Sequence, residues 1–110
     1  MSDAAYSSML LNAIAGLATR LTVDGVAIYT LRYDYPAFGS WELVAGRRRS
    51  RVRVAWDGKE AVLRVCAAHL AGAAEPQWQP VSEKDFSKRR GDHAQILAQT
   101  YTAIRQHCDA

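Results

Sequence analysis

Arginine side chains cluster in one short segment of this sequence, and their chemistry is that of anion binding. A guanidinium group presents a planar fork of N–H donors that matches two oxygens of a phosphate or a carboxylate. Each phosphate that it neutralises also releases counterions, which favours binding to nucleic acid. We therefore predict an anion-binding surface, with nucleic acid as a candidate partner, formed by Arg47, Arg48, Arg49, Arg51, Arg53 and Arg64, and by a second cluster of Lys88, Arg89 and Arg90.

The same arginines have a simpler interpretation. A short charged run in a loop commonly forms a solvated surface, and arginines on an open sheet face keep that face soluble. If Tyr29, Tyr33 or Trp41 shares the arginine face, bases could stack on its ring. Aromatic residues in strands more often pack in the core. An exposed aromatic patch would also suit a homodimer formed sheet to sheet or edge to edge.

Residue types that carry catalysis or bind metals are scattered. Cys66 and His69 are close enough along the chain for a nucleophile pair, but no third residue is evident to orient the histidine. His93 and His107 lie in a C-terminal helical pattern, and we expect structural roles for all three histidines. The sequence has no CxxC motif, no cysteine–histidine ligand spacing and no glycine-rich phosphate loop, so we predict neither a metal nor a cofactor.

A β-hairpin in residues 51–68 must position the arginines. Alternating apolar and charged residues flank Asp57-Gly58, which suits a type I′ turn because both residues tolerate positive φ. This turn predicts a register in which Val54 faces Ala61 and Arg51 faces Arg64. The hairpin then has an apolar face that needs a cover and an arginine face that meets water or an anion, formed respectively by Val52, Val54, Ala61, Leu63 and Val65, and by Arg51, Arg53 and Arg64.

Hydrophobic periodicity predicts the other elements. Helices are expected over residues 3 to about 20, with Ser2 or Asp3 as N-cap, and over His93 to about Cys108, with Asp92 as N-cap. Strands are expected at 26–35 and 40–45, a loop at 46–50 and a short helix capped by Ser82 at 81–90. The pattern does not decide which face of the first strand is buried. The predicted fold class is α+β, with an N-terminal helix, a four-stranded antiparallel meander sheet and a C-terminal helix, both helices lying on one sheet face.

Composition narrows the class of protein. The 110 residues suit a single domain spanning 1–110, and 49% hydrophobic with 23% charged residues is ordinary for a globular chain. The formal net charge is +3, which is only mildly basic. The sequence shows no signal-peptide pattern and no run of ~18 apolar residues, so we expect a cytoplasmic protein without membrane association. Cys66 and Cys108 are expected as reduced thiols, although a disulfide between strand and helix stays open.

Three functional hypotheses follow from these patterns. The leading one is a small non-enzymatic binding module whose arginine-rich sheet face and loop meet an anionic partner, with nucleic acid as the candidate. The second is a protein-interaction or homodimeric assembly domain that uses the same face. The third is a small enzyme or small-molecule binder, which would need a deep pocket with a perturbed histidine or cysteine.

Overall fold

The computed structural model describes residues 3–34, 36, 39–71 and 75–108. Two helices flank five strands along the chain: α1 (Asp3–Val23), β1 (Ala27–Asp34), β2 (Ser40–Arg47), β3 (Ser50–Asp57), β4 (Val62–His69), β5 (Gln79–Asp85) and α2 (His93–Cys108). The strands form one antiparallel meander in the order β1-β2-β3-β4-β5. The predicted α+β class, the flanking helices and the antiparallel sheet are confirmed, and the sheet has one strand more than predicted.

Helix α1 buries most of the stripe that helical spacing predicts, which consists of Tyr6, Leu10, Ala13, Ile14, Leu17 and Leu21. The four leucine and isoleucine residues are buried in the core, whereas Tyr6 is half-buried and Ala13 is exposed. The helix runs three residues beyond its expected end at residue 20. It ends in a Schellman motif, since the N–H groups of the two residues after Asp24 donate to carbonyls of the last helical turn. The first of these residues is a glycine with φ of 85°, so the sequence supplies the residue that this stop requires. Ser2, one of the two N-cap candidates, lies outside the described residues.

Strand β5 occupies residues for which a short helix was predicted, and that prediction is wrong. Ser82 is therefore a strand residue facing Val65, not a helix cap. The error has a physical cause: β5 is an edge strand, and almost all of its residues are exposed. It has no buried side to create an apolar alternation, and Pro80 at its start is tolerated only because the strand is at the edge.

The hairpin of β3 and β4 has a longer turn than predicted. Asp57 pairs with Val62, so four residues form the loop, and the left-handed residue is Ala61 with φ of 56°. The predicted type I′ turn at Asp57-Gly58 is therefore wrong. The Asp57 carboxylate explains the observed loop, because its Oδ1 accepts the backbone N–H groups of Lys59 and Glu60, each at 3.0 Å.

The register of this hairpin shifts accordingly. Val54 faces Val65 where Ala61 was predicted, a shift of four residues along β4, and Arg51 faces Ala68 in place of Arg64. An even shift leaves every side chain on its predicted face, because side chains alternate with a period of two. The predicted apolar face is therefore the buried one, with Val52, Val54, Ala61, Leu63 and Val65 all in the core.

A β-bulge in β1 explains why alternation could not assign its faces. Ile28 pairs with Ala45 on the helix-covered side, but the register then shifts so that Tyr33 pairs with Trp41 on that same side. Tyr29 is the extra residue of the bulge. The sequence allows two choices for the buried face of this strand, and each choice is therefore correct for only one half of β1. Tyr35, the predicted last residue of this strand, lies outside the described residues.

Helix α2 begins where the sequence predicts, because Asp92 caps it. The Asp92 Oδ1 accepts the N–H of Gln95 at 3.1 Å. Helical spacing predicts a stripe of His93, Leu97, Tyr101, Ile104 and Cys108, with Ile96 and Thr100 beside it. The buried residues are Ile96, Thr100, Ile104 and Cys108, so the first half of the buried stripe lies one residue away from the predicted one. Both helices pack on the same face of the sheet and close one core with it. In the described part of the chain, no helix combines the length and apolar character that a bilayer span needs.

Candidate anion-binding face

The helices cover one face of the sheet, and among the residues that the structure describes no helix or strand covers the other face. We call the uncovered side the open face. Three of its cross-strand rows contain arginines: Ala27, Gly46, Arg51 and Ala68; Thr30, Val44, Arg53, Cys66 and Pro80; and Arg32, Glu42, Ala55, Arg64 and Glu83. A fourth row beyond the third contains the pairs Asp34–Ser40 and Asp57–Val62 and ends at Asp85. The first two rows contain arginines and no carboxylate, whereas the third alternates in charge. We call the half formed by the first two rows the arginine end, and the half around the third row the mixed end.

At the arginine end, Arg51 reaches from β3 across β2 to β1. Its guanidinium carbon lies 4.2 Å from the centre of the Tyr29 ring. The side chain crosses Gly46: a Cβ placed on that glycine would lie 2.7 Å from the Arg51 Cδ and 2.4 Å from the carbonyl oxygen of Ser50. A residue without a side chain is therefore needed at position 46 for this crossing.

Arg53 leans towards the opposite edge of the sheet. Its guanidinium carbon lies 4.8 Å from the centre of the Trp78 ring, in the segment that leads into β5. The small Cys66 side chain faces Arg53 on β4, with Sγ 4.0 Å from Nη2. A large apolar side chain between two glutamines in a loop favours packing at the edge of the core, but the Trp78 ring stacks under an arginine of the open face. No local pattern identifies this contact, because it depends on the unpredicted strand β5.

The three consecutive arginines of the β2–β3 turn have different roles. Arg48 and Arg49 form the two-residue turn and are exposed, and Arg48 has φ of 55°. Arg47 belongs to β2 and points to the helix side of the sheet. There it donates to the carbonyl oxygens of Asp24 and Gly25 after α1. Arg47 is thus a structural tie between β2 and the end of α1, and the structure does not place it on the open face.

The mixed end neutralises its own charges. Arg64 donates to the Asp57 Oδ2 at 3.4 Å and to the Glu83 Oε2 at 3.3 Å. The hydrogen bond with Asp57 is the main cause that raises the pKa of Arg64. The pKa of Asp57 is lowered, chiefly by the N–H of Glu60 and further by Arg64. Beside this pair lies a shallow concavity of about 700 Å³, whose walls include Arg32, Glu42, Lys59 and Arg64.

The second basic cluster lies in the turns between β5 and α2. Arg90 donates to the carbonyl oxygens of Gly58 and Lys59, at 3.3 and 3.0 Å. Arg89 lies over the Phe86 ring, 4.9 Å from its centre, and Lys88 is exposed beside it. Arg90 therefore ties the α2 approach to the β3–β4 loop, and this cluster is separate from the two arginine rows.

Of the three predicted stacking residues, only Tyr29 lies on the open face, with 53% of its surface exposed. Trp41 is buried under the helices. Tyr33 is half-buried on that same side, and its hydroxyl lies 3.0 Å from the Ser7 Oγ. The bulge in β1 causes this division, because it turns Tyr29 to one face and Tyr33 to the other.

The candidate nucleophile pair is not formed. Cys66 faces Arg53 on the open face, whereas His69 faces Ser50 on the alternate, helix side of the strand. Neither cysteine is in a disulfide, and Cys108 lies on α2 across the sheet from Cys66. This placement overturns the disulfide that the sequence left open. Among the residues that the structure describes, no three histidine, cysteine, aspartate or glutamate side chains are grouped to hold a metal ion.

His93 is held in an aromatic setting at the start of α2. Its Nε2 lies 3.2 Å from the Tyr6 hydroxyl, and its ring meets those of Tyr6 and Trp56 edge-on, with centroids 6.1 and 6.5 Å away. Burial lowers the pKa of His93, and Asp92 opposes the shift in part. Burial also raises the pKa of Tyr6. These contacts join α1, α2 and β3, so His93 has a packing role.

The arrangement with the clearest chemistry is therefore the arginine end of the open face, where Arg51 and Arg53 stack on Tyr29 and Trp78 beside the exposed Arg48–Arg49 turn. It can bind anions and stack planar groups. Comparison of the chain with protein-family models, with curated proteins and with solved structures found no match in any of the three.

Proposed function

We propose that this chain is a non-enzymatic binding module whose open sheet face binds an anionic partner, nucleic acid being the candidate. One observation carries the proposal: Arg51 and Arg53 lie on an uncovered face, in rows without a carboxylate, each over an aromatic ring. A guanidinium that contacts a ring through its face keeps N–H groups at its edge for an anion. In Arg51, Nη1 donates to the carbonyl oxygens of Arg48 and Ser50, at 2.8 and 2.9 Å, so Nε and Nη2 are the groups that would meet the anion. The exposed Arg48 and Arg49 extend the same positive surface.

The test is fluorescence anisotropy with labelled DNA and RNA at low and near-physiological salt. The double variant R51S/R53S should lose binding. The matched control R32S/K59S removes the same charge from the mixed end and should keep it. If the four arginines 48, 49, 51 and 53 each meet a phosphate, the slope of log K against log salt is about −3, at roughly −0.7 per contact on a single strand. Equal losses in both variants would show that only net charge matters and would overturn the assignment of the site.

A second candidate is a homodimer formed through the open face. Charges in the third row alternate, so a twofold axis along β3 would bring Arg32 to Glu83 and Glu42 to Arg64 of the second copy. The same axis would bring Arg51 and Arg53 close to their own copies, and like charges placed opposite each other are destabilising. This candidate is therefore second. Sedimentation equilibrium tests it, and R32E should dissociate such a dimer.

We also propose the cytoplasm as the location of this module. Cys66 and Cys108 are both reduced, and the sheet separates them. Cysteines that stay reduced fit a compartment in which thiols are kept reduced. Fractionation of cells that express the chain with a tag would test this location, and recovery with secreted proteins would contradict it.

A further inference from the structure

Four side chains of the arginine end form a line across the sheet. Tyr29 lies on β1, Arg51 and Arg53 lie two residues apart on the central strand β3, and Trp78 immediately precedes β5. The two arginines lean in opposite directions, each onto the ring at its own edge. Neighbouring strands lie about 4.8 Å apart, so the line from first to fifth strand is roughly 19 Å long. Positive charge lies in its middle and an aromatic ring lies towards each end.

From this line we infer that the ligand is single-stranded nucleic acid, laid across the strands with phosphates on Arg51 and Arg53 and unpaired bases on Tyr29 and Trp78. The inference rests on the proposed function and adds the strandedness, path and contacts of the ligand. Bases of any identity stack on aromatic rings or on guanidinium planes. Tyr29 has more than half of its surface free for such a contact.

The shape of the face argues against a duplex. A five-stranded sheet roughly 19 Å wide cannot enter a major groove about 12 Å wide, and the bases of a duplex are already stacked inside it. A single strand can turn its bases outward onto the two rings while its backbone follows the arginines. The open face should therefore distinguish single strands from duplexes by whether unpaired bases are available to stack on its rings.

Charged side chains limit the path that the bound nucleic acid can follow. Glu42 and Glu83 lie in the next row, and Asp57 lies beyond it near Arg64, so a backbone that left the arginine end would meet carboxylates. In the opposite direction along the strands, the arginine end stops at the short Arg48–Arg49 turn between β2 and β3. The footprint is therefore small, about four nucleotides, at the low end of the range for sheet-based single-strand binders.

The experiment measures anisotropy with labelled oligo-dT, oligo-rU and a DNA duplex, each about 12 nucleotides long, which exceeds the expected footprint. The variant Y29S/W78S keeps every charge and removes both rings. It should bind single strands roughly tenfold more weakly or worse for each ring, with an unchanged salt slope. The control V23S changes an exposed apolar residue at the end of α1 and should bind as the wild type does. Comparison of oligo-dT with oligo-rU identifies the preferred sugar.

A second measurement does not depend on any variant folding. Trp41 and Trp56 are buried and Trp78 is only half-buried, so the accessible tryptophan fluorescence is that of Trp78. Saturation with oligo-dT or oligo-rU should quench it, because a stacked base contacts the indole ring.

The outcomes separate this inference from the function on which it rests. Full binding by Y29S/W78S, absence of quenching, or duplex binding as tight as single-strand binding overturns the inference. In those cases, loss of binding in R51S/R53S alone still supports the anionic-partner proposal. Failure of the wild-type protein to bind any nucleic acid at low salt overturns both.

Discussion

Arg51 and Tyr29 lie two strands apart, yet the guanidinium carbon of Arg51 is 4.2 Å from the centre of the Tyr29 ring. The contact exists because two features far apart in the sequence coincide. The bulge in β1 turns Tyr29 to the open face, and Gly46 on β2 leaves room for the arginine to pass. Arg53 makes the corresponding contact with Trp78 towards the other edge. The two arginines of the candidate site thus lie on the central strand, and one aromatic residue towards each edge of the sheet completes the site.

Substitution of Gly46 tests this crossing. G46A should lower the free energy of unfolding by roughly 1–3 kcal/mol, because the new Cβ would overlap the Ser50 carbonyl oxygen and displace Arg51. Urea denaturation measures the change. The control is G16A on α1, where the new Cβ would meet nothing within 4 Å beyond the adjoining residues and backbone of its own helix, and an alanine in a helix interior should stabilise by about 0.5–1 kcal/mol. A G46A protein as stable as the wild type would show that the backbone of β2 can shift at low cost to accommodate the new Cβ.

The consecutive arginines of the β2–β3 turn should differ in their effect on stability. R47S removes hydrogen bonds to the carbonyl oxygens of Asp24 and Gly25, and we expect a loss of about 1–3 kcal/mol. R49S changes an exposed turn residue and should stay within about 0.5 kcal/mol of the wild type. Thermal and urea unfolding of both variants provide the check. Equal effects would contradict the structural role assigned to Arg47.

The acid stability of the protein should depend on Asp57. Its pKa is lowered from 3.8, chiefly because the Glu60 N–H donates to the carboxylate. A lowered carboxyl pKa adds stability above the unfolded value, and this stability is lost as the pH falls through the folded pKa. D57N should therefore be less stable near neutral pH by about 1 kcal/mol, with the difference shrinking below pH 4. Urea midpoints across this range measure it, with E60Q as the exposed control. A difference in stability between D57N and the wild type that stays constant with pH would contradict the role assigned to the Asp57 carboxylate.

His93 should make the fold sensitive to mildly acidic conditions. Burial lowers its pKa from 6.5, so the folded state binds this proton less readily than the unfolded state does. Stability from His93 is present above 6.5 and falls as the pH decreases below that value. H93Q should flatten this part of the stability profile, because a glutamine at this position carries no titrating group. Identical profiles for H93Q and the wild type would exclude His93 as the cause.

Local interactions account for what could be predicted about the fold. The stripe of α1, the Asp92 cap of α2 and the two faces of the hairpin each depend on residues a few positions apart. The hairpin turn was predicted wrongly, because the Asp57 carboxylate organises a four-residue loop in competition with the type I′ turn. Strand β5 was missed because an exposed edge strand carries no apolar alternation.

The sequence by itself determined which arginines share a hairpin face, because alternation along a strand survives an even shift of register. Only the tertiary structure decided what those arginines touch. It separated Arg47 from Arg49, paired Arg64 with Asp57 and Glu83, and brought Tyr29 and Trp78 to Arg51 and Arg53. These contacts join residues 19 or more positions apart in most cases, and they depend on a bulge and on an edge strand. Side-chain periodicity reports only the local backbone, so the neighbours of a residue on the next strand follow from sheet pairing alone.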